Sequence, residues 1–102
     1  DQPALEIHKD PPKDPQDFYD RICKDMKKLY GKGLVHGDLS PYNILNYDER
    51  PVYIDFSQGT MTSAYNAPEL LERDVSVINT YFKKRCNTKS DEDLVAYITE
   101  GQ

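Results

Sequence analysis

No run of apolar residues in this 102-residue sequence approaches the roughly 20 needed to span a bilayer, and nothing near its N-terminal end reads as a signal peptide. A transmembrane or secreted protein is therefore not expected. Cysteine is scarce too: Cys23 and Cys86 make neither a C-x-x-C pair nor a disulfide framework, so both are read as reduced thiols, in the core or near the surface, of a cytoplasmic protein. Positive charge is in deficit. Thirteen Lys and Arg face eighteen Asp and Glu, for a net charge of −5, whereas holding nucleic acid relies on clustered cations to neutralise phosphates. The short basic runs Lys27-Lys28 and Lys83-Lys84-Arg85 are read as solvated helix faces. The five glycines form no G-x-G-x-x-G, and neither an internal repeat nor a low-complexity tract is present.

What remains is ordinary for one small soluble domain: 37% hydrophobic and 30% charged residues, enough for a single modest core. Residues 1 to 14 hold Pro3, Pro11 and Pro12 among Asp and Lys, and with Pro15 following they predict an extended linker rather than a helix or central strand. Asp14-Pro15-Gln16-Asp17 then offers an N-cap, a first-turn proline and acids where the helix dipole favours them. Phe18, Ile22, Met26 and Leu29, widened by Tyr19, Cys23 and Tyr30, carry a helical stripe with Lys24, Lys27 and Lys28 facing out. Gly31 and Gly33 end that helix; with Lys32 between them they lack the P-loop pattern.

Ile44-Leu45 and Val52-Tyr53-Ile54 are β-prone runs around the polar turn 47–51, which predicts a small antiparallel hairpin. A second helix is expected from Asn66, where Asn66 and Glu69 resemble a capping box and Leu71, Val75, Ile78 and Phe82 give the stripe. Ser90 to Asp93 cap a third, with Leu94, Tyr97 and Ile98.

Within this frame the stretch VHGDLSPYNIL, residues 35–45, carries the chemistry. Asn43 precedes the first hairpin strand and Asp55 follows the second, so both emerge at one end of a two-stranded unit. An amide oxygen and a carboxylate there can share a hard cation such as Mg²⁺, whose other positions go to waters and substrate phosphates. Asp38, on the loop entering the hairpin, is placed to accept a proton from a hydroxyl beside that phosphate. Each residue alone is an ordinary turn former or cap. The ordered triple is what points to function.

His36-x-Asp38-x-x-x-x-Asn43 followed by Ile54-Asp55-Phe56 resembles the catalytic loop and D-F-G metal motif of protein kinases. By that resemblance Asp38 is the catalytic aspartate, Asn43 a Mg²⁺ ligand, and Asp55 the principal Mg²⁺ ligand contacting the nucleotide phosphates. Three departures narrow the family: Gly37 replaces the arginine of H-R-D, Ser40 stands where the catalytic-loop lysine is expected, and Ser57 replaces the glycine of D-F-G. Only about a dozen residues separate Asp55 from the next helix, too few for a long phosphoregulated activation segment. Ala67-Pro68-Glu69, though similar to the A-P-E element, comes too soon and is read as a helix start.

With LVHGDLSPYNIL, YIDFSQ and LLERDVSVINTYF, these departures resemble the RIO family of atypical serine/threonine kinases, most closely its first subfamily, over nearly all of residues 15 to 100. The resemblance implies ATP and Mg²⁺ as cofactors, Asp55 as a catalytic candidate aspartyl-phosphate residue, and a protein serine or the protein itself as acceptor. It further implies a role in small ribosomal subunit maturation, in which ATP hydrolysis can outweigh protein phosphorylation. His36 takes a structural role by the same resemblance. Asp74 is open between a hydrogen bond back to the catalytic loop and an exposed helix charge.

The fold class implied is α+β: a protein-kinase-like C-terminal lobe over 15–102, mainly helical, with a small hairpin carrying the metal site. The linker at 1–14 would follow the inter-lobe hinge. No V-A-I-K-like strand is present, so the N-terminal lobe is expected to lie outside this sequence, and the chain on its own to bind ATP weakly and be inactive. Two rivals stand beside this reading. One is a small-molecule phosphotransferase of the aminoglycoside and choline kinase type, whose H-G-D-x-x-x-x-N-I-L loop is similar but whose acceptor differs. The other is a non-catalytic kinase-like binding module.

Overall fold

In the computed structural model, which describes residues 3–101, helix α1 (Pro15–Gly31) starts where Asp14 caps it, its carboxylate accepting the Asp17 amide at 3.1 Å. Pro15 sits in the first turn, where its missing N–H would have had no helical partner. Phe18, Tyr19, Ile22, Cys23 and Met26 are buried on the expected stripe. Lys27 departs from it. Instead of facing solvent, its ammonium donates to the Tyr97 and Glu100 carbonyls at 2.7 and 2.9 Å, capping the last turn of α3 (Asp91–Thr99).

After α1 the chain turns at Gly33, with φ of +88°, into β2 (Leu34–Val35), which pairs antiparallel with β5 (Thr60–Met61). A second antiparallel sheet holds β1 (Leu5–Glu6), β3 (Ile44–Tyr47) and β4 (Arg50–Tyr53) in the order β1-β3-β4. The hairpin strands are longer than the sequence implies. Its turn is only Asp48-Glu49, both left-handed at φ of 50° and 66°, the primed geometry whose twist matches the strands. Pro51 lies within β4, tolerated because β4 is an edge strand.

The proline-rich segment, of which residues 1–2 lie outside the described residues, does more than link. Leu5 and Glu6 pair with Asn46 and Leu45 as the other edge of that sheet, and Ile7 is fully buried. Glu49 then ties the segment to the hairpin turn by accepting the Lys13 and Asp14 amides at 2.9–3.1 Å. The prolines flank the two-residue strand rather than interrupt it, which is why their density hid it.

Helix α2 (Ala67–Phe82) begins at the Ala-Pro-Glu triplet, with Leu71, Val75, Ile78 and Phe82 buried. Its expected capping box does not form: the Asn66 side chain makes no cap hydrogen bond, and its backbone is in the bridge region at φ −91° and ψ 0°. For α3 the cap does form, Ser90 Oγ accepting the Asp93 amide at 3.1 Å beneath a first turn of three acids. Buried Asn79 ties the three helices: its carbonyl accepts the Tyr19 hydroxyl at 2.7 Å, and its amide donates to the Lys89 carbonyl and Asp91. The result is α+β, three helices with two small antiparallel sheets. Among the described residues no helix is long and apolar enough to cross a membrane.

Candidate functional site

The site is built from the buried acid of α2 outward. Asp74, 1% exposed, accepts the Gly37 amide at 2.8 Å on one carboxylate oxygen and the Leu39 amide at 3.0 Å on the other. Of the two readings open from the sequence, the hydrogen bond back to the loop is the one observed. Asp38 stands between those anchored amides, so its backbone is fixed from both sides. Burial pushes the Asp74 carboxyl above the usual carboxylate range, although the two amides, His36 and Arg73 pull it down.

His36, 2% exposed, closes the same loop onto the hairpin. Its Nδ1 accepts the Asp38 amide at 3.1 Å, which leaves Nε2–H to donate to the Ile54 carbonyl at 2.9 Å. Both ring nitrogens are thus engaged, and the ring packs 4.4 Å from that of Phe56. The role is structural: it spans from the loop of Asp38 to the strand end before Asp55.

Gly37 has a physical reason to replace the arginine of H-R-D. Its φ is +87°, and a Cβ there would lie 2.5 Å from the backbone carbonyl oxygen of Gln58, a distance no side chain can keep. The turn after Asp55 therefore packs against the loop of Asp38 through a gap that only glycine leaves.

Asp38 and Asn43 are brought into contact. The Asn43 amide donates to the Asp38 carbonyl at 2.7 Å and to its carboxylate at 3.3 Å, and among the described residues no donor is bonded to its own Oδ1. Asp55 is not bonded to either. The Ile54 amide donates to the Asn43 carbonyl at 3.0 Å, so Asn43 faces Ile54 across the ladder and Asp55 falls one residue further. In a regular strand that offset would send its side chain to the opposite face. Asp55 is instead left-handed, at φ 60° and ψ 69°, which breaks the alternation at the point where the hairpin ends.

Ser57, at the D-F-G glycine position, holds Asp55: its hydroxyl donates to Oδ1 at 2.6 Å and its amide to the same oxygen at 3.4 Å. The Ser57 hydroxyl and amide hold the Asp55 carboxyl below the usual range. Among the described residues its second oxygen carries no hydrogen bond. Asn43 Oδ1 and Asp55 Oδ2 are thus hard oxygen donors without partners among the described residues, a donor chemistry that fits Mg²⁺ completed by waters and phosphates. Among the described residues no group of three or more His, Cys, Asp and Glu is arranged to hold a metal, as a self-sufficient protein cage would need.

One residue at this site escapes sequence reasoning. The Arg73 guanidinium lies 3.8 Å from Asp38 Oδ1, across from the Asn43 contact on Oδ2. Within ERD it reads as a solvated helix charge; the available signal is its place immediately before Asp74.

With this geometry in view, comparison with known proteins is specific. The family model for the RIO domain matches residues 1–95. The RIO-type serine/threonine-protein kinase Rio1 of Methanocaldococcus jannaschii is 51% identical over 96 residues, covering 85% of this chain and 32% of that protein. The RIO-type kinase Rio2 of the same organism is 38% identical over 81 residues, covering 78% of this chain and 30% of that protein. The chain therefore spans about a third of the length of these relatives, and matches both Rio1 and Rio2 proteins. Among solved structures, the Rio2 kinase of Chaetomium thermophilum in its ADP/Mg²⁺-phosphoaspartate complex is similar, with a TM-score of 0.75 and 26% identity, covering 97% of this chain and 34% of that one.

The raised Asp74 carboxyl has a signed consequence. Because the folded state binds its proton more tightly than the unfolded chain does, its contribution is largest at acid pH and is lost as pH rises through the folded value. Asp74→Asn, which sets an NH₂ against one of the two amides, should lower stability by about 2–3 kcal/mol. Urea unfolding of both proteins should show a larger gap near pH 3 than near pH 7; a gap that widens toward neutrality would contradict the assignment.

Proposed function

The chain belongs to the RIO domain family, and on that premise we propose that it is the C-terminal lobe of an atypical RIO serine/threonine kinase or ATPase that transfers the γ-phosphoryl group of Mg·ATP. The observation that carries the reading is the placement of three oxygen-bearing side chains: Asp38 bonded to Asn43, with Asp55 one residue beyond the Asn43–Ile54 rung. Asn43 Oδ1 and Asp55 Oδ2 would hold the Mg²⁺. The ion, when bound, neutralises charge developing on the phosphates. Asp38 takes the proton of the attacking hydroxyl or water as the new P–O bond forms and ADP leaves with the electrons of the broken one.

Asp55 is also the candidate for transient phosphorylation. Its left-handed backbone and Ser57 contacts present one free oxygen in a fixed orientation, and the similar Rio2 kinase was solved as a phosphoaspartate complex. In that branch an Asp55 carboxylate oxygen attacks the γ-phosphorus as ADP leaves with the electrons of the broken P–O bond, and a water whose proton goes to Asp38 then hydrolyses the aspartyl phosphate, releasing phosphate and restoring the carboxylate. The acceptor would otherwise be a protein serine or the protein itself. Assignment to the first RIO subfamily is favoured by 51% identity to the Rio1 protein against 38% to the Rio2 protein of one organism. A cytoplasmic role in small ribosomal subunit maturation follows from that assignment.

In the full-length protein, Asp38→Ala and Asp55→Ala should each lower phosphate release and autophosphorylation by about 10²-fold or more, measured as initial rates with Mg·ATP. Unchanged rates in both variants would favour a non-catalytic binding module. The chain alone supplies only the metal and base side of the site, so calorimetry with Mg·ATP should give binding no tighter than about millimolar; micromolar affinity would contradict the half-site reading.

A further inference from the structure

The segment that builds the site is nearly free of cations. From Gly33 through Glu72 the only Lys or Arg is Arg50, which pairs with Tyr47 at the turn end of the hairpin, about 10 Å along the strands from the Ile44–Tyr53 rung beside Asn43. Phosphoryl transfer nevertheless needs positive charge held near the transferring group. Ser40, in the loop itself, is neutral, and its hydroxyl accepts the Tyr42 amide.

The cation arrives from α2. Of three ion pairs among the described residues, Lys9–Glu6 and Arg21–Asp17 are local pairs three and four positions apart, and Arg73–Asp38 alone joins two distant segments. Its geometry is inherited from Asp74. The carboxylate of Asp74 grips the amides on both sides of Asp38, and Arg73 is the residue before it on the helix, so one turn of α2 fixes both the loop backbone and the guanidinium. Arg73 pairs with Asp38 at 3.8 Å, and among the described residues it makes no ion pair with Glu69, which lies four positions back on its own helix.

We propose that Arg73 is a positioning residue for Asp38. The inference rests on the phosphoryl-transfer reading above. With the Arg73 guanidinium 3.8 Å from Oδ1 and the Asn43 amide 3.3 Å from Oδ2, each oxygen of the Asp38 carboxylate has a partner that restricts its rotation while the nucleophile approaches.

The test uses the full-length protein and initial rates of phosphate release over a range of Mg·ATP concentrations, with thermal melts to confirm folding. Arg73→Ala should lower kcat by about tenfold or more while KM for Mg·ATP stays within about twofold. Arg73→Lys should recover most of the rate, and Arg50→Ala should match the unaltered protein. Combined with Asp38→Ala, Arg73→Ala should cost nothing further, because its effect runs through Asp38. Wild-type kcat in Arg73→Ala, or a loss that multiplies with that of Asp38→Ala, overturns the inference while Asp55→Ala remains inactive and the function stands. If the unaltered protein releases no phosphate, or Asp55→Ala releases it normally, the function reading falls and takes the inference with it.

Discussion

The grip of the Asp74 carboxylate on the Gly37 and Leu39 amides is the constraint on which the rest of the site depends. A buried acid costs solvation, and its raised carboxyl value records that cost. In return, two loop amides with no strand or helix partner gain an acceptor, and the residue between them is held still. The same helix turn sends Arg73 to Asp38, and the left-handed Gly37 that the grip requires leaves the gap into which the Gln58 carbonyl packs. Removing the carboxylate would therefore loosen Asp38, the turn after Asp55 and their mutual distance together.

His36 does for the hairpin what Asp74 does for the helix. By accepting from Asp38 and donating to Ile54 it locks the loop of Asp38 to the end of β4, so the residues proposed to hold the metal and to take the proton belong to one unit. Neither bond involves a charged partner. The strain sits one residue later, in the left-handed Asp55, where Ser57 offsets it with two hydrogen bonds.

Much of this was legible in the sequence because it depends on periodicity and order. The stripe of α1, the apolar face of α2 and the Ser90 cap are local signals, and the triple Asp38, Asn43 and Asp55 is an ordered motif. What was not legible depends on partners far along the chain. Leu5–Glu6 is a strand only because β3 offers an edge, and proline density masked it. Lys27 looked like one more solvated lysine until α3 ended beside it, and Arg73 like a helix charge until the loop was anchored one residue away. Asn66 and Glu69 satisfy the letter pattern of a capping box, but the bridge-region backbone of Asn66 prevents its side chain from reaching back to the helix amides.

We propose that this chain carries half of a metal–nucleotide site, with Asn43 and Asp55 as its hard donors. Amide spectra of the isotope-labelled chain, titrated with ADP and paramagnetic Mn²⁺ in place of Mg²⁺, read this directly because broadening by a bound ion reports even a weakly filled site. The account predicts broadening centred on the Asn43 side-chain amide and on Asp55, fading toward Asp48 and Glu49 at the far turn. Broadening centred instead on the three acids that open α3, Asp91 to Asp93, with Asn43 and Asp55 unaffected, would contradict it.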